Sequence, residues 1–582
     1  MRFQEFITAA IAGIVFAALA APAAAQFTID FPPGVNVSNT PASTAFTDYR
    51  IVVDPGTLEK VHVVTYADGP NTERDIFVRY SVDDGATWSA AVNLSNSAGQ
   101  TNVIGAPGNS NRPSIAAENG NVLIAWIDTY CPGGAQGSYT NDQGELTAFG
   151  CAYVARSTDS GRTWSAAEQL TDGSRDAINT MPAASASGFA LAWQEDPAGV
   201  SAPGNGGASG GGGSPGTNIH YTALADLASG TPFPDDTRVS NNTGTASGDP
   251  AATRPNLQLA GFTALLAYEE TKAGSSGKNV LWHDFDMFNP PADAMGAIVN
   301  DPDENARRAR IVAQTPAEAG ASGTLALLIW RQGVGTQGAP ADFMARRAVG
   351  GYGIGQLQPV INLSGATLTS PTSEDPDDSI RGHRAILDGD RVAVAFIYTP
   401  SEPLRELQQA TYDAMTRQSM DGGVTWRPMR NLSGITDFSI IAFAPRIAAT
   451  PATIASGDPL DQRNPDAYLV GWDTRTNTNE RERLDVWAAY TEDYGLRFSD
   501  PIPVATSPAG EFSVVLQAFP SGRQVCAVWR QRDSETRADA FHSCGSRVFV
   551  SEARPVPVAS WPALLLLIGL MIAGTLWWRP GR

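Results

Sequence analysis

Arginine recurs at similar points along the chain. Arg50, Arg112, Arg254, Arg310, Arg384 and Arg446 each lie near the start of a short β-like run. Acidic side chains recur at the end of the apolar run that follows, as Asp68, Asp128, Glu195, Glu270 and Asp473. A guanidinium stays charged and presents a planar fork of donors. Several of them converging on one point can hold carboxylates or anionic sugars through paired hydrogen bonds. The regular alternation with acids favours a plainer reading, in which the two sets pair with one another between repeat units. The chain has no G-x-S-x-G elbow, no H-E-x-x-H and no phosphate-binding glycine loop, so it offers no rival catalytic motif.

The elements that must carry these residues are strands. An apolar run with one aromatic in register recurs as Val61–Asp68, Val122–Asp128, Phe189–Asp196, Thr263–Glu270, Leu325–Gln332, Val392–Tyr398, Ala467–Thr474 and Val525–Arg532. The aromatics are Tyr66, Trp126, Trp193, Tyr268, Trp330, Phe396, Trp472 and Trp529. A shorter strand precedes each run and another follows. A fourth often reads like Val92-Asn93-Leu94-Ser95, Ile361-Asn362-Leu363-Ser364 or Arg430-Asn431-Leu432-Ser433. The repeated place of these N-x-S triplets reads as structure before glycosylation. Four strands repeating every ~50–76 residues predict a β-propeller. The count predicts eight blades, with six or seven as alternatives. The last unit lacks its fourth strand, and Val35-Asn36-Val37-Ser38 matches that strand in type. It is expected to complete the last blade and close the ring, removing an open edge.

A second repeat links the third and fourth strands. Ser81-x-Asp83-x-Gly85-x-Thr87-Trp88 returns as Ser157-x-Asp159-x-Gly161-x-Thr163-Trp164 and as Ser419-x-Asp421-x-Gly423-x-Thr425-Trp426, with a worn copy around Asp493 and Gly495. Ser and Asp can bond nearby backbone N–H groups, Gly can take positive φ, and Trp anchors the next strand. The pattern resembles the Asp box, or BNR repeat, of sialidases and related propellers, where the turn is scaffolding. These turns should share one face with the turns between first and second strands. The longer loops, such as Cys131–Gly150, Ala198–Gly216 and Thr399–Tyr412, should lie on the other face, where functional residues concentrate.

The likeness to sialidases can be followed residue by residue. Tyr49-Arg50-Ile51-Val52 stands where those enzymes carry a Tyr/Phe-Arg-Ile-Pro motif, with Val in place of Pro. The resemblance implies that Arg50 grips a sugar carboxylate. Asp68 lies at the end of the following run, and the short loop Gly69–Arg74, where the family keeps its acid/base, offers only Glu73. Arg50, Asp68 and Glu73 are thus the catalytic candidates. The family's nucleophilic Tyr aligns with Phe512, which has no hydroxyl and cannot attack. The expected function is therefore non-catalytic binding or scaffolding for a polysaccharide or surface-protein ligand. A sialidase-like exo-glycosidase acting on anionic glycans is the alternative, and another hydrolase or lyase is permitted by the fold.

The ends of the chain predict where it works. Residues 1–25 read as a secretory signal peptide, with Arg2, an apolar core and Ala23-Ala24-Ala25. The propeller is assigned to 26–550, a linker to 551–560, an apolar span to 561–578 and a basic tail to 579–582. An uncharged span of about 18 residues before Arg579 suits a transmembrane helix. The layout is similar to bacterial choice-of-anchor surface proteins with C-terminal sorting tails, which implies an exported protein held at the cell envelope, with the membrane as a partner. The formal charge of −20 argues against a nucleic-acid partner. The four Cys suit an oxidising compartment, and local pairing Cys131–Cys151 and Cys526–Cys544 is expected. The five His are scattered in sequence, so no metal site is expected and no cofactor. The stretch Glu374-Asp375-Pro376-Asp377-Asp378 offers hard oxygen ligands for Ca²⁺, although a solvated acidic loop explains it as well.

Overall fold

The computed structural model describes residues 26–550, apart from 141–143, 198–213, 275–276, 334–340, 366–378, 400–407, 409, 450–465, 477–482, 509, 519–523 and 533–536. The signal segment, the C-terminal apolar span, most of the glycine-rich insertion and the acidic stretch at 374–378 lie outside the described residues. Among the described residues no helix is long and apolar enough to cross a membrane.

Eight antiparallel sheets follow one another along the chain; the first seven are built in chain order from the inside outwards, and the eighth takes its outer strands from the N-terminal end. Blade 1 runs through Thr44–Val53, Lys60–Asp68, Asp75–Ser81 and Val92–Asn93. The inner strands of blades 2 to 8 are Ser110–Glu118, Ala177–Ser185, Ala252–Ala260, Ala306–Ala313, Ser379–Asp388, Ile440–Ala449 and Glu511–Ala518. Inner strands of consecutive blades pack side by side, and Glu511–Ala518 packs against Thr44–Val53, so the row closes into a ring. This is the eight-bladed propeller expected from the repeat.

The closure is also as expected. Val35–Asn36 pairs with Ala538–Val550, with Val35 opposite His542 and Asn36 opposite Phe541. A further strand, Gln26–Asp30, lies beside the same strand. The N-x-S triplet explains how a fourth strand is recognised. In blade 1, Asn93 Nδ2 and Ser95 Oγ donate to Asp75 at 2.7 and 2.9 Å, and the Ile76 N–H donates to Ser95 Oγ. In blade 8, Asn36 Nδ2 and Ser38 Oγ donate to Asp539 at 3.0 Å each, and the Ala540 N–H donates to Ser38 Oγ.

The core lies between blades. Most of each second strand is buried, and the repeated aromatics pack against the neighbouring blade, as Trp126 does in one cluster with Val52, Val63 and Val78. Trp126, Trp193, Trp330, Trp472 and Trp529 are all but inaccessible to solvent. Burying such a side chain contributes about 4–6 kcal/mol before entropy is counted. Both predicted disulfides are formed.

The four Ser/Thr-x-Asp turns have one geometry. In the first, Ser81 Oγ donates to Asp83 Oδ1 and accepts from the Gly85 N–H, the Thr87 N–H donates to Asp83 Oδ1, and Trp88 Nε1 donates to the Gly85 carbonyl at 3.0 Å. The second and third repeat every one of these bonds, and the worn copy keeps them as far as Arg497. The Ser160 N–H donates to the Gly120 carbonyl, and Arg162 reaches Asp54 of the preceding blade at 2.8 Å. These turns therefore share a face with the turns between first and second strands.

Candidate functional site at the channel mouth

Every inner strand carries a β-bulge near its start. The extra residue has positive φ in all eight: Phe46, Arg112, Asn179, Arg254, Arg308, Gly382, Ala444 and Ser513. The register shifts lie opposite the repeated aromatics, so two inner-strand residues face one ring, from Tyr66 in blade 1 to Trp529 in blade 8. A bulge bends the strand and re-aims the side chains beside it. Here it does so eight times, at the end of the ring away from the Asp-containing turns.

The bulges sort the arginines into three registers. Arg112 and Arg254 are the bulged residues themselves. Arg310, Arg384 and Arg446 lie two positions beyond, opposite Ile329, Ala395 and Gly471. Arg50 lies four beyond its bulge, opposite Val63. The single ring of six expected from sequence is thus not one ring, because equal spacing in sequence ignores the bulge.

Three of the six converge with others that the sequence reading missed. Arg308, Arg310, Arg331, Arg384 and Arg446 line one cavity of about 180 Å³ with His383, Phe443 and Pro445. The guanidiniums of Arg310, Arg384 and Arg446 are surrounded by protein yet reach solvent through the cavity. Arg384 donates to the His383 carbonyl at 2.7 Å, and Arg446 to the Pro445 carbonyl at 3.1 Å. Among the described residues none of Arg308, Arg310, Arg384 and Arg446 forms an ion pair with a carboxylate. Burial and then the charges of Arg446 and Arg308 push Arg310 down to about 10. Burial, then Arg446 and Arg310, depress Arg384 strongly. Burial also keeps His383 neutral, and its Nε2 donates to the Arg308 carbonyl at 2.6 Å. Like charges are held together here, offset in part by Glu269 near Arg308 and Arg310 and by Asp473 and Asp48 near Arg446, and an incoming anion would offset them further.

The acids sit elsewhere. Glu269, adjacent to the expected Glu270, is fully buried and pairs with Arg254 at 3.2 Å and Lys278 at 3.1 Å, and it accepts from the Arg308 N–H. Burial works against its charge, but Lys278 and Arg254 outweigh that and hold its pKa low. Asp473 and Gln194 take the same place and accept the N–H of the next blade's bulged residue, Ser513 and Arg254. One residue further along the strand, side chains point to the opposite face of the sheet. There Asp128 accepts from Ser110 at 2.6 Å, Glu195 from Trp193 at 2.8 Å and Glu270 from Asn242 at 3.1 Å. Asp68 accepts from Thr44, and burial raises its pKa. Arg254 is thus paired, but with Glu269 of its own blade and not with an expected acid of a neighbouring one, while Arg310, Arg384 and Arg446 of blades 5 to 7 form no ion pair among the described residues.

The catalytic candidates are not brought together. Arg50 pairs with Asp48 at 3.2 Å. Asp68 lies opposite Thr44, six positions back along the same inner strand, or roughly 20 Å at strand rise. Glu73 is exposed in a turn. Phe512 does lie on the inner strand of the closing blade, as its second residue, and Arg530 stacks on its ring at 4.4 Å. The clue to Arg308 and His383 was present in sequence, since the aromatic of each second strand marks the bulge opposite.

No protein-family model and no curated protein matches the chain. Similar solved structures are propellers with low identity. A protein of unknown function from Dyadobacter fermentans is 11% identical, covering 89% of this chain and 99% of its own, with a TM-score of 0.38. A leech intramolecular trans-sialidase is 12% identical, covering 90% and 94%, with a TM-score of 0.35. A Penicillium chrysogenum α-L-arabinanase is 12% identical, covering 68% and 100%, with a TM-score of 0.33.

Proposed function

We propose that this is an exported, envelope-anchored binding protein that holds an anionic glycan at the channel mouth without cleaving it. One observation carries the reading. Arg308, Arg310, Arg384 and Arg446 converge on one cavity, and among the described residues none of them forms an ion pair with a carboxylate. Forked donors held apart in a partly desolvated pocket suit the carboxylates of acidic sugars. Phe512 in place of a nucleophile, and the distance between Arg50 and Asp68, speak for binding over hydrolysis. On this reading the four Ser/Thr-x-Asp turns are Asp boxes that build the blades, and the terminal segments place the ring at the envelope.

Calorimetric titration of the purified protein with an oligogalacturonate, a sialylated trisaccharide and a neutral oligosaccharide of similar length tests this. Binding of an acidic ligand, weakened at least tenfold by Arg384→Ala and by Arg310→Ala, is expected. Equal binding of the neutral sugar, or Arg50-dependent hydrolysis of a fluorogenic sialoside, would overturn it.

A further inference from the structure

A second constellation lies at the other end of the ring, where the first and last blades meet. Cys526 and Cys544 stand directly opposite each other in the second and third strands of blade 8 and form a disulfide. His542 precedes Cys544 by two positions and so shares its face. His62 comes from the second strand of blade 1. All four are buried, and their ligand atoms lie within 4.8 Å of one another. His542 Nε2 is 3.6 Å from Cys544 Sγ. Two outer groups fix the rings. The Tyr49 hydroxyl lies 2.6 Å from His62 Nδ1 and 3.4 Å from His542 Nε2, and Asp84 lies 3.3 Å from His62 Nε2. The scatter of these histidines in sequence hides the cluster, because only ring closure brings residue 62 to residue 542.

We infer that reducing the Cys526–Cys544 disulfide creates a Cys₂His₂ site for a zinc-class divalent cation, held with His62 and His542. In the oxidised protein the two sulfurs are bonded to each other and are not ligands. A dithiol reductant supplies two electrons, the S–S bond breaks, two cysteine thiols form and the reductant becomes a disulfide. The cation then displaces both thiol protons to solvent and gains two bonds to sulfur and two to imidazole nitrogen. Two thiolates balance its charge, which a buried site requires. Two soft and two borderline donors in a closed cluster suit tetrahedral Zn²⁺, with metal–sulfur distances of about 2.3 Å and metal–nitrogen of about 2.0 Å. The sulfurs must separate from about 2 Å to roughly 3.8 Å, which side-chain rotation on facing strands permits. Binding of the cation through His62 Nδ1 takes the place of the Tyr49 hydroxyl there and leaves Asp84 on Nε2 as the outer partner that orients the imidazole.

The exchange moves a tether. The disulfide ties two strands of one blade. The metal would tie blade 8 to blade 1 through His62, across the junction that closes the ring. Redox state would thereby decide whether the ring is fastened by strand pairing alone or also by a metal clip.

Co²⁺ is the probe. The purified protein is titrated oxidised, and again after reduction with a phosphine and anaerobic desalting. The reduced protein is expected to bind one equivalent, with thiolate-to-cobalt charge transfer and intense visible bands of tetrahedral cobalt. Zn²⁺ should displace it and raise the melting temperature of the reduced protein only. His62→Asn and His542→Asn should each weaken binding at least tenfold, and replacing Cys131 and Cys151 by Ser should leave it unchanged. Circular dichroism of the reduced protein shows whether the ring persists. Four outcomes would overturn the inference: no cobalt uptake on reduction, equal uptake by the oxidised protein, uptake indifferent to both histidines, or a reduced chain that unfolds and is not rescued by metal.

Discussion

Ser38 Oγ donates to Asp539 Oδ1 at 3.0 Å across 501 positions of sequence. The bond copies one made inside blade 1, where Ser95 Oγ donates to Asp75 Oδ1 at 2.9 Å. Each serine also accepts from the backbone N–H after its acid. The pair is a matched experiment. Locally, Ser38→Ala and Ser95→Ala should each cost about 1.5–3 kcal/mol, as loss of a bond to a charged group does. Ser38→Ala additionally loosens Val35–Asn36, one of the two described N-terminal strands that pair with the last blade's Ala538–Val550. Its denaturation midpoint should therefore fall further than that of Ser95→Ala. Equal midpoints would mean that closure does not limit stability.

Strain and charge meet at Arg308. Its φ of 58° is one that a side chain adopts at a cost of about 1–2 kcal/mol, and its guanidinium adds to the like charges around Arg310. Arg308→Gly should remove both. Thermal stability is expected to hold or to rise by up to about 1 kcal/mol, since glycine's greater freedom when unfolded offsets part of the gain. Affinity for an acidic oligosaccharide should fall at least tenfold in the same variant. A clear loss of stability would show that Arg308 is a structural residue, not part of a strained binding surface.

What the sequence disclosed follows from period. The aromatics from Tyr66 to Trp529 recur because every blade must fill the same gap against its neighbour, and the N-x-S triplets recur because Asp75 and Asp539 need the same donors. Both patterns are local, so they could be counted. The arginine-lined cavity is not local. It depends on a bulge that adds one residue to the inner strand, so Arg112, Arg310 and Arg50 look alike in sequence and occupy three registers. Glu269 and Glu270 differ by one position and face opposite ways, which Tyr268 beside them could have revealed. The meeting of His62 with His542 was out of reach, because the two are brought together only by the closed ring.

Two aspartates should move stability in opposite directions with pH. Burial raises Asp128 to about 6, despite the Ser110 bond. A raised carboxyl favours the folded state below its unfolded pKa, and that contribution is lost as pH rises through about 6. Wild type should therefore lose stability relative to Asp128→Asn between about pH 4 and 6. Asp83 is held down to about 2, first by the Thr87 hydroxyl and then by the Thr87 N–H. Its contribution is present above the ordinary carboxyl range and is lost as pH falls toward 2. Wild type should lose its advantage over Asp83→Asn on that acid limb. Denaturant unfolding at a series of pH values checks both, and slopes of the same sign would refute the assignment.

Phe512 offers the sharpest test of catalysis. It is the second residue of the closing blade's inner strand, where a sialidase-like enzyme would need a hydroxyl, and Arg530 covers its ring at 4.4 Å. Phe512→Tyr would supply that hydroxyl without changing much else. A nucleophile alone does not make a glycosidase, because an acid must protonate the leaving group and a cation must hold the sugar. Arg50 is paired with Asp48, and Asp68 lies six positions away along the strand, bonded to Thr44. The variant is therefore expected to leave fluorogenic sialosides intact while binding acidic oligosaccharide within about twofold of wild type, a difference of under 0.5 kcal/mol. Turnover by Phe512→Tyr that disappears in the double variant with Arg50→Ala would show that the rest of a hydrolytic site is already assembled, and the binding reading would give way to the enzyme.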